Sequence, residues 1–192
     1  MMSRRSRLCS LWSRVDSGEL HQAPREWQAW LSDSGSLTQK IERTIGQTLS
    51  VIVLSDGRQN LNSDESRYFH FRLRRCRVRE VLLCANGQPL VMARSIIPKT
   101  SAGGINHAPL SLGQRPLGAL LFANTQQQSK QMHSREITFL TKGDPLWLSF
   151  SKRFKTLPRS LWGRRTLYRL KGHPILVTEL FLPSLLSYPT TL

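Results

Sequence analysis

The 192-residue chain carries 28 lysines and arginines against 12 aspartates and glutamates, a formal net charge of +16, and 39% of its residues are apolar. That length suits one domain with a substantial core, and no run of about 18 apolar residues could form a membrane-spanning helix. The three cysteines, Cys9, Cys76 and Cys84, are odd in number and irregularly spaced, which argues against a disulfide framework and suits a reducing cytoplasm.

Basic residues cluster at Arg4, Arg5, Arg7 and Arg14, again at Arg72, Arg74, Arg75, Arg77 and Arg79, and late at Lys152, Arg153, Lys155, Arg159, Arg164 and Arg165. Such a balance suits an anionic partner: nucleic acid, an anionic membrane surface or an acidic small molecule. No zinc-finger spacing, helix-turn-helix or aromatic RNA-binding signature accompanies it, so no specific nucleic acid is expected and peripheral membrane contact stays open.

In chain order, residues 1–23 read as a basic, flexible terminus without the apolar block of a secretory signal. Residues 24–31 predict a short helix, with Pro24 in its first turn and Trp27, Trp30 and Leu31 at helical spacing. Ser36 offers an N-cap to a second helix with Leu37, Ile41 and Ile45 in one stripe, ended by Gly46. Residues 49–54 predict a buried strand closed by a turn at Asp56-Gly57, and 58–66 a polar loop. A strand over 68–77 then leads into 78–98, where two apolar arms flank Asn86-Gly87, the dipeptide most closely tied to a two-residue hairpin. Beyond it come a loop at 99–107, a helical turn at 116–122, a polar stretch at 124–131 and a strand at 135–140. Residues 142–160 read as an amphipathic helix or an insertion, and 161–170 with 174–182 as a second hairpin turning at Lys171-Gly172. Hairpins with helices gathered at the front predict a single α+β domain built on an antiparallel sheet.

Side chains alternate between faces along a strand, so Arg79 shares a face with Val81 and Leu83, and Arg94 shares one with Leu90, Met92 and Ile96. A buried guanidinium normally has an anionic partner, here either a protein carboxylate or a ligand carboxylate. In the last strand Glu179 sits among residues apolar on both faces, where desolvation is expected to raise its pKa and make it an acid near neutrality. The bland alternative is an ion pair of Glu179 with Arg79 or Arg94. The five histidines show no metal-ligand spacing, no serine lies in a nucleophile elbow, and Gly103-Gly104 forms no phosphate-binding fingerprint. No metal, nucleotide or covalent mechanism is indicated.

The blocks REVLLCANGQPLVMARSIIP (79–98), PLGALLF (116–122) and LWGRRTLYRLKGHPILVTELFLP (161–183) resemble the bacterial chorismate–pyruvate lyase family, and the likeness extends over residues 27–183. The resemblance implies a cofactor-free lyase that splits chorismate into 4-hydroxybenzoate and pyruvate, opening ubiquinone biosynthesis. It also implies a domain at 24–183 with a pocket beneath helical flaps, a tail at 184–192 and a monomer. By this likeness Arg79 grips the aromatic carboxylate, the backbone of Leu117 and of Leu37 assists, Glu179 meets the hydroxyl end, and Arg94 takes the second carboxylate. Methionine is familiar in the family where Leu37 stands, and 144–160 is expected as an insertion. Two rivals remain: a non-catalytic sensor of small aromatic acids, because ligand-binding domains of certain transcription regulators share a related fold, and a basic nucleic-acid-binding protein.

Overall fold

The computed structural model describes residues 12–16, 18–69, 75–98, 113, 117–122, 132–170 and 173–189. Its frame is an antiparallel sheet of β1 (Ser13–Arg14), β2 (Ser50–Asn60), β3 (Arg75–Ala85), β4 (Gln88–Ile97), β5 (Met132–Thr141), β6 (Ser160–Leu170) and β7 (His173–Phe181), in the spatial order β1-β5-β6-β7-β4-β3-β2. The helices are α1 (Arg25–Leu31), α2 (Leu37–Ile45), α3 (Ser63–Ser66), α4 (Leu117–Leu121), α5 (Pro145–Ser151) and α6 (Ser184–Ser187). This is the α+β architecture that the pattern of hairpins predicts.

The central hairpin turns where expected. Asn86 and Gly87 have φ of 47° and 80°, the left-handed values that a two-residue turn matching strand twist requires. Directly after the turn the register shifts: Cys84 pairs Pro89, but Leu83 pairs Val91. Leu90 is thus an extra residue, a β-bulge, and every β4 side chain beyond it changes face relative to an unbulged ladder. Arg94 consequently stands opposite Glu80, while Arg79 stands opposite Ser95.

One face is covered by the front helices. Pro24 precedes α1, whose Trp27, Trp30 and Leu31 are buried. Ser36 caps α2, its hydroxyl accepting from the Gln39 N–H at 3.5 Å, and Gly46 closes that helix at φ 69°. Leu37, Ile41 and Ile45 then pack with Val81, Leu83, Ala93 and Phe181 of the sheet. The other face is covered by α5, whose Leu146, Trp147 and Phe150 join Trp12, Leu82, Met92, Leu140 and Leu180. The segment 144–160 therefore supplies core to the domain.

Buried charges on this second face are paired. The Arg94 guanidinium donates from Nε and Nη2 to Glu65 (2.7 and 3.1 Å) and from Nη1 to Glu80 (2.7 Å). Arg165 donates to Asp64 (2.8 Å) and Thr178 (3.1 Å) and lies 4.0 Å over the Trp12 ring. A four-residue helix has little stability of its own; α3 is held because its Asp64 and Glu65 are the anions for these two arginines.

Several expectations need correction. The chain does not turn at Asp56-Gly57: β2 runs on to Asn60, and 58–66 is strand followed by α3. As an edge strand, β2 leaves Ile52 and Val53 exposed where a buried strand was expected. Tyr68 and Phe69 lie in turns, and β3 starts only at Arg75. The domain also reaches past 24–183, since Trp12 and Leu185 are buried and β1 pairs β5. The expected loop at 99–107, the polar stretch at 124–131 and the turn at 171–172 lie outside the described residues. Among the described residues no helix is long and apolar enough to cross a membrane.

Removing one member of a buried ionic cluster strands the others. Arg94→Met is expected to lower unfolding stability by about 3–5 kcal/mol, measured by urea denaturation, because Glu65 and Glu80 would both lose their shared cation.

Candidate active site

Cross-strand registry sets the site. Asp56, Arg79, Ser95, Val177 and Thr166 form one row across β2, β3, β4, β7 and β6, and Val81, Ala93, Glu179 and Arg164 form the next. Arg79 and Glu179 thus begin on the same face, two strands apart and two residues out of step, roughly 10 Å across and 7 Å along the sheet. Between them lies a pocket lined by Leu37 and Thr38 at the start of α2, Arg79, Val81 and Leu83 of β3, and Ala93 and Ser95 of β4. Its remaining wall is Leu117, Gly118, Leu121 and Phe122 at α4, Tyr168 of β6, and Val177 and Glu179 of β7.

One end is cationic. Arg79 is 3% exposed and donates to Asp56 at 3.1 Å and to the Gly113 carbonyl at 2.7 Å. Asp56 also receives two bonds from Arg77, at 2.6 and 2.8 Å. Burial alone would raise the Asp56 carboxyl, but Arg77 and Arg79 outweigh it and hold it below the ordinary aspartate range. One carboxylate facing two guanidiniums leaves a net positive charge, while fixing the direction of Arg79.

Leu37 and Leu117 line the pocket as the first residues of α2 and α4. The opening N–H groups of a helix have no partner within it, so both backbones present donors there. The two helix starts approach closely at Gly118, where a Cβ would meet the Ser36 hydroxyl at 3.4 Å.

The far end is built around an ion pair. Arg164, fully buried, donates from Nε to Glu179 and from Nη1 to the carbonyls of Trp30 (3.0 Å) and Asp33 (2.7 Å). Glu179 is therefore not the solitary acid that its apolar strand suggests, nor is it paired with Arg79 or Arg94. Tyr168 completes this end; burial first, then the Glu179 charge, push its phenol up despite Arg164 and Arg135. It stays protonated, a potential donor, at neutral pH. The side walls are mostly aliphatic, with Thr38, Ser95 and Phe122 among them, and Phe122 meets Tyr168 edge-on at 5.9 Å. Among the described residues no group of three or more His, Cys, Asp or Glu side chains is placed to hold a metal.

Of the residues singled out from sequence, Arg79, Leu37, Leu117 and Glu179 converge on this pocket. Arg94 does not: the bulge at Leu90 turns it to the opposite face, where Glu65 and Glu80 saturate it, so it cannot take a ligand's second carboxylate here. Asp56, Arg164 and Tyr168 were not foreseen. Arg164 had a signal, since two adjacent arginines in an apolar strand must face opposite ways and both need anions. Asp56 had none, because its pairing with Arg79 depends on a second register shift, between Val53 and Ser55.

The family model for chorismate lyase matches residues 7–189. The chain is 36% identical over 175 residues to a probable chorismate pyruvate-lyase of Thiobacillus denitrificans, covering 86% of this chain and 87% of that protein. It is 37% identical over 172 residues to one of Aromatoleum aromaticum, covering 88% and 91%. The chorismate pyruvate-lyase of Escherichia coli O9:H4 is 32% identical over 166 residues, covering 81% of each chain. Among solved structures, the ligand-binding domain of a GntR-family transcriptional regulator from Bordetella bronchiseptica overlays at a TM-score of 0.46 and 17% identity, covering 70% of this chain and 86% of its own, too loosely to bear on function. A match across nearly the whole length, joined by relatives above 30% identity, settles the lineage: this chain belongs to the chorismate lyase family.

Proposed function

We propose that this protein is a cytoplasmic chorismate pyruvate-lyase, converting chorismate to 4-hydroxybenzoate and pyruvate at the head of ubiquinone biosynthesis. The observation that carries the reading is the pocket: a guanidinium at one end, a carboxylate at the other, and a largely apolar slot between them.

The chemistry asks little beyond that. The two products together contain the atoms of the substrate, so no oxidant or reductant is consumed. The product keeps the ring hydroxyl; the bond broken is the enolpyruvyl ether, and the hydrogen lost is the one on the hydroxyl-bearing carbon. Aromatisation of the ring drives the cleavage, and the released enolpyruvyl group becomes pyruvate by gaining a proton on its methylene carbon.

The chain's residues position and neutralise. Arg79, aimed by Asp56, binds the ring carboxylate through a charge-assisted fork, with the Leu37 and Leu117 backbone donors supporting it. Val81, Leu83, Val177 and Leu121 hold the ring and exclude water, which strengthens each polar contact. Glu179, at the hydroxyl end, accepts from the ring oxygen and assists proton loss beside it, while Arg164 neutralises its charge. The surplus positive charge steers a dianionic substrate inward. Lys142, Lys152, Lys155, Arg159 and Leu148, within one segment of the chain, are all exposed, and these cations support a second, peripheral role in touching anionic membranes.

Purified protein incubated with chorismate in EDTA is expected to release 4-hydroxybenzoate and pyruvate in equal amounts; tight product binding without turnover would favour the sensor instead. Glu179→Gln should lower kcat by roughly 10²–10⁴-fold if the carboxylate moves a proton, whereas a near-normal kcat would confine it to positioning. Asp56→Asn should weaken 4-hydroxybenzoate binding in calorimetry by loosening Arg79. Because the Asp56 pKa is lowered on folding, its stabilisation is present above the unfolded value of about 3.9 and fades as pH falls through the folded one. The stability gap between wild type and Asp56→Asn should therefore close in acid melts. The membrane role predicts sedimentation with anionic vesicles at low salt and release at high salt.

A further inference from the structure

Of the polar side chains that line the pocket, Thr38, Ser95 and Tyr168 have no part in the chemistry above. Ser95 stands across from Arg79 at the cationic end. Thr38 packs where α2 meets α4, its hydroxyl 3.7 Å from the place a Gly118 Cβ would take. Tyr168 belongs to the end where bonds break. If the ring carboxylate sits on Arg79 and the ring hydroxyl faces Glu179, the enolpyruvyl ether projects from the carbon next to the hydroxyl. Its oxygen then lies toward Glu179. The pocket residues in register with Glu179 on β4 and β3 are Ala93 and Val81, which offer that oxygen nothing.

Tyr168 lies on β6 opposite Ile175 of β7, and Thr166 lies opposite Val177. Alternate residues share a face, so Tyr168, Thr166 and Arg164 all rise on the pocket side. The Tyr168 side chain is 4% exposed and packs with Leu117, Leu121 and Val177, with Phe122 edge-on to its ring. This packing fixes the ring as a wall of the pocket. Its hydroxyl meets the Thr166 side chain and feels the charges of Glu179 and Arg164, so the phenol leans back along β6 toward the carboxylate. Burial, and then Glu179, keep its proton in place, while Arg164, Arg135 and a hydrogen bond from Thr166 pull the other way. With Thr166 donating to the phenol oxygen, the phenol's own hydrogen is left for the pocket.

We infer that Tyr168 donates a hydrogen bond to the ether oxygen of the leaving enolpyruvyl group. The inference rests on the chorismate reading of the pocket and adds what that reading lacks, a donor for the oxygen that departs. As the carbon–oxygen bond breaks, its electron pair stays on that oxygen, and the hydroxyl-bearing ring carbon gives its proton to Glu179. The fragment released is the enolate of pyruvate. Tyr168 stabilises it while keeping its own proton, and protonation of the methylene carbon balances the proton that Glu179 took. The Glu179 carboxylate cannot serve that oxygen itself, because both carry negative charge. 4-Hydroxybenzoate has no such oxygen, so the contact is made by substrate and lost on cleavage.

The test compares turnover with product binding. Tyr168→Phe keeps the ring and removes only the hydroxyl. It should lower kcat for chorismate about 10–100-fold, the scale of one hydrogen bond to developing charge, while Kd for 4-hydroxybenzoate stays within about twofold. Thr166→Val, which takes away the donor behind the phenol, should lower kcat by less and add nothing in the Tyr168→Phe background. Product binding by each variant reports an intact pocket. An unchanged kcat in Tyr168→Phe would overturn the assignment. So would a parallel loss of product affinity, which would place the hydroxyl on the ring oxygen or in the wall alone, and so would an effect of Thr166→Val that persists without the phenol. A wild-type protein that cannot turn over chorismate would remove the reading beneath the inference, a failure distinguishable from all of these.

Discussion

A single inserted residue separates the two faces of this sheet into two chemistries. Had the Asn86-Gly87 hairpin zipped without interruption, residues equidistant from the turn would pair, and Arg79 would stand directly across from Arg94. Leu90 intervenes as a bulge, so Arg79 pairs with Ser95 and Arg94 with Glu80. Because side chains alternate along a strand, that shift of one sends the two arginines to opposite sides. One becomes the cation of a pocket; the other becomes the centre of a buried salt-bridge cluster.

The rest of the molecule follows from that separation. The face bearing Arg79 and Glu179 is covered by α1 and α2, whose apolar stripes pack on it, and the first residues of α2 and α4 line the pocket left there. The opposite face is closed by α5, α3 and Trp12, and its charges are neutralised internally by Asp64, Glu65 and Glu80. Buried ion pairs contribute little net stability compared with apolar packing. Here their consequence is positional: they fix where a short helix and two central strands must sit. The pocket's ion pair works alike, since Arg164 ties Glu179 to the end of α1 through the Trp30 and Asp33 carbonyls.

The electrostatics divide along the same line. On the closed face the arginines have matched carboxylates. On the pocket face Asp56 is shared between Arg77 and Arg79 at one end, and Glu179 pairs with Arg164 at the other. A guanidinium held in an apolar slot favours the binding of an anion there.

Local sequence determined the elements whose causes are local. Asn86-Gly87 specifies its turn through positive φ, Ser36 and Gly46 bound α2, and the near-continuous apolar runs of β3 and β7 announce buried strands with Arg79 and Glu179 among apolar neighbours. The three motif blocks carried the family and, with it, four residues that meet in the pocket. Tertiary structure alone decided which face each strand presents, because a bulge leaves no mark in composition and yet reverses every side chain beyond it. It also decided the partners: Asp56 for Arg79, Arg164 for Glu179, and Glu65 for Arg94 are separated by 23, 15 and 29 residues. Such pairings arise from the cost of leaving a buried charge alone, and that cost is settled only once the sheet and its covering helices have closed.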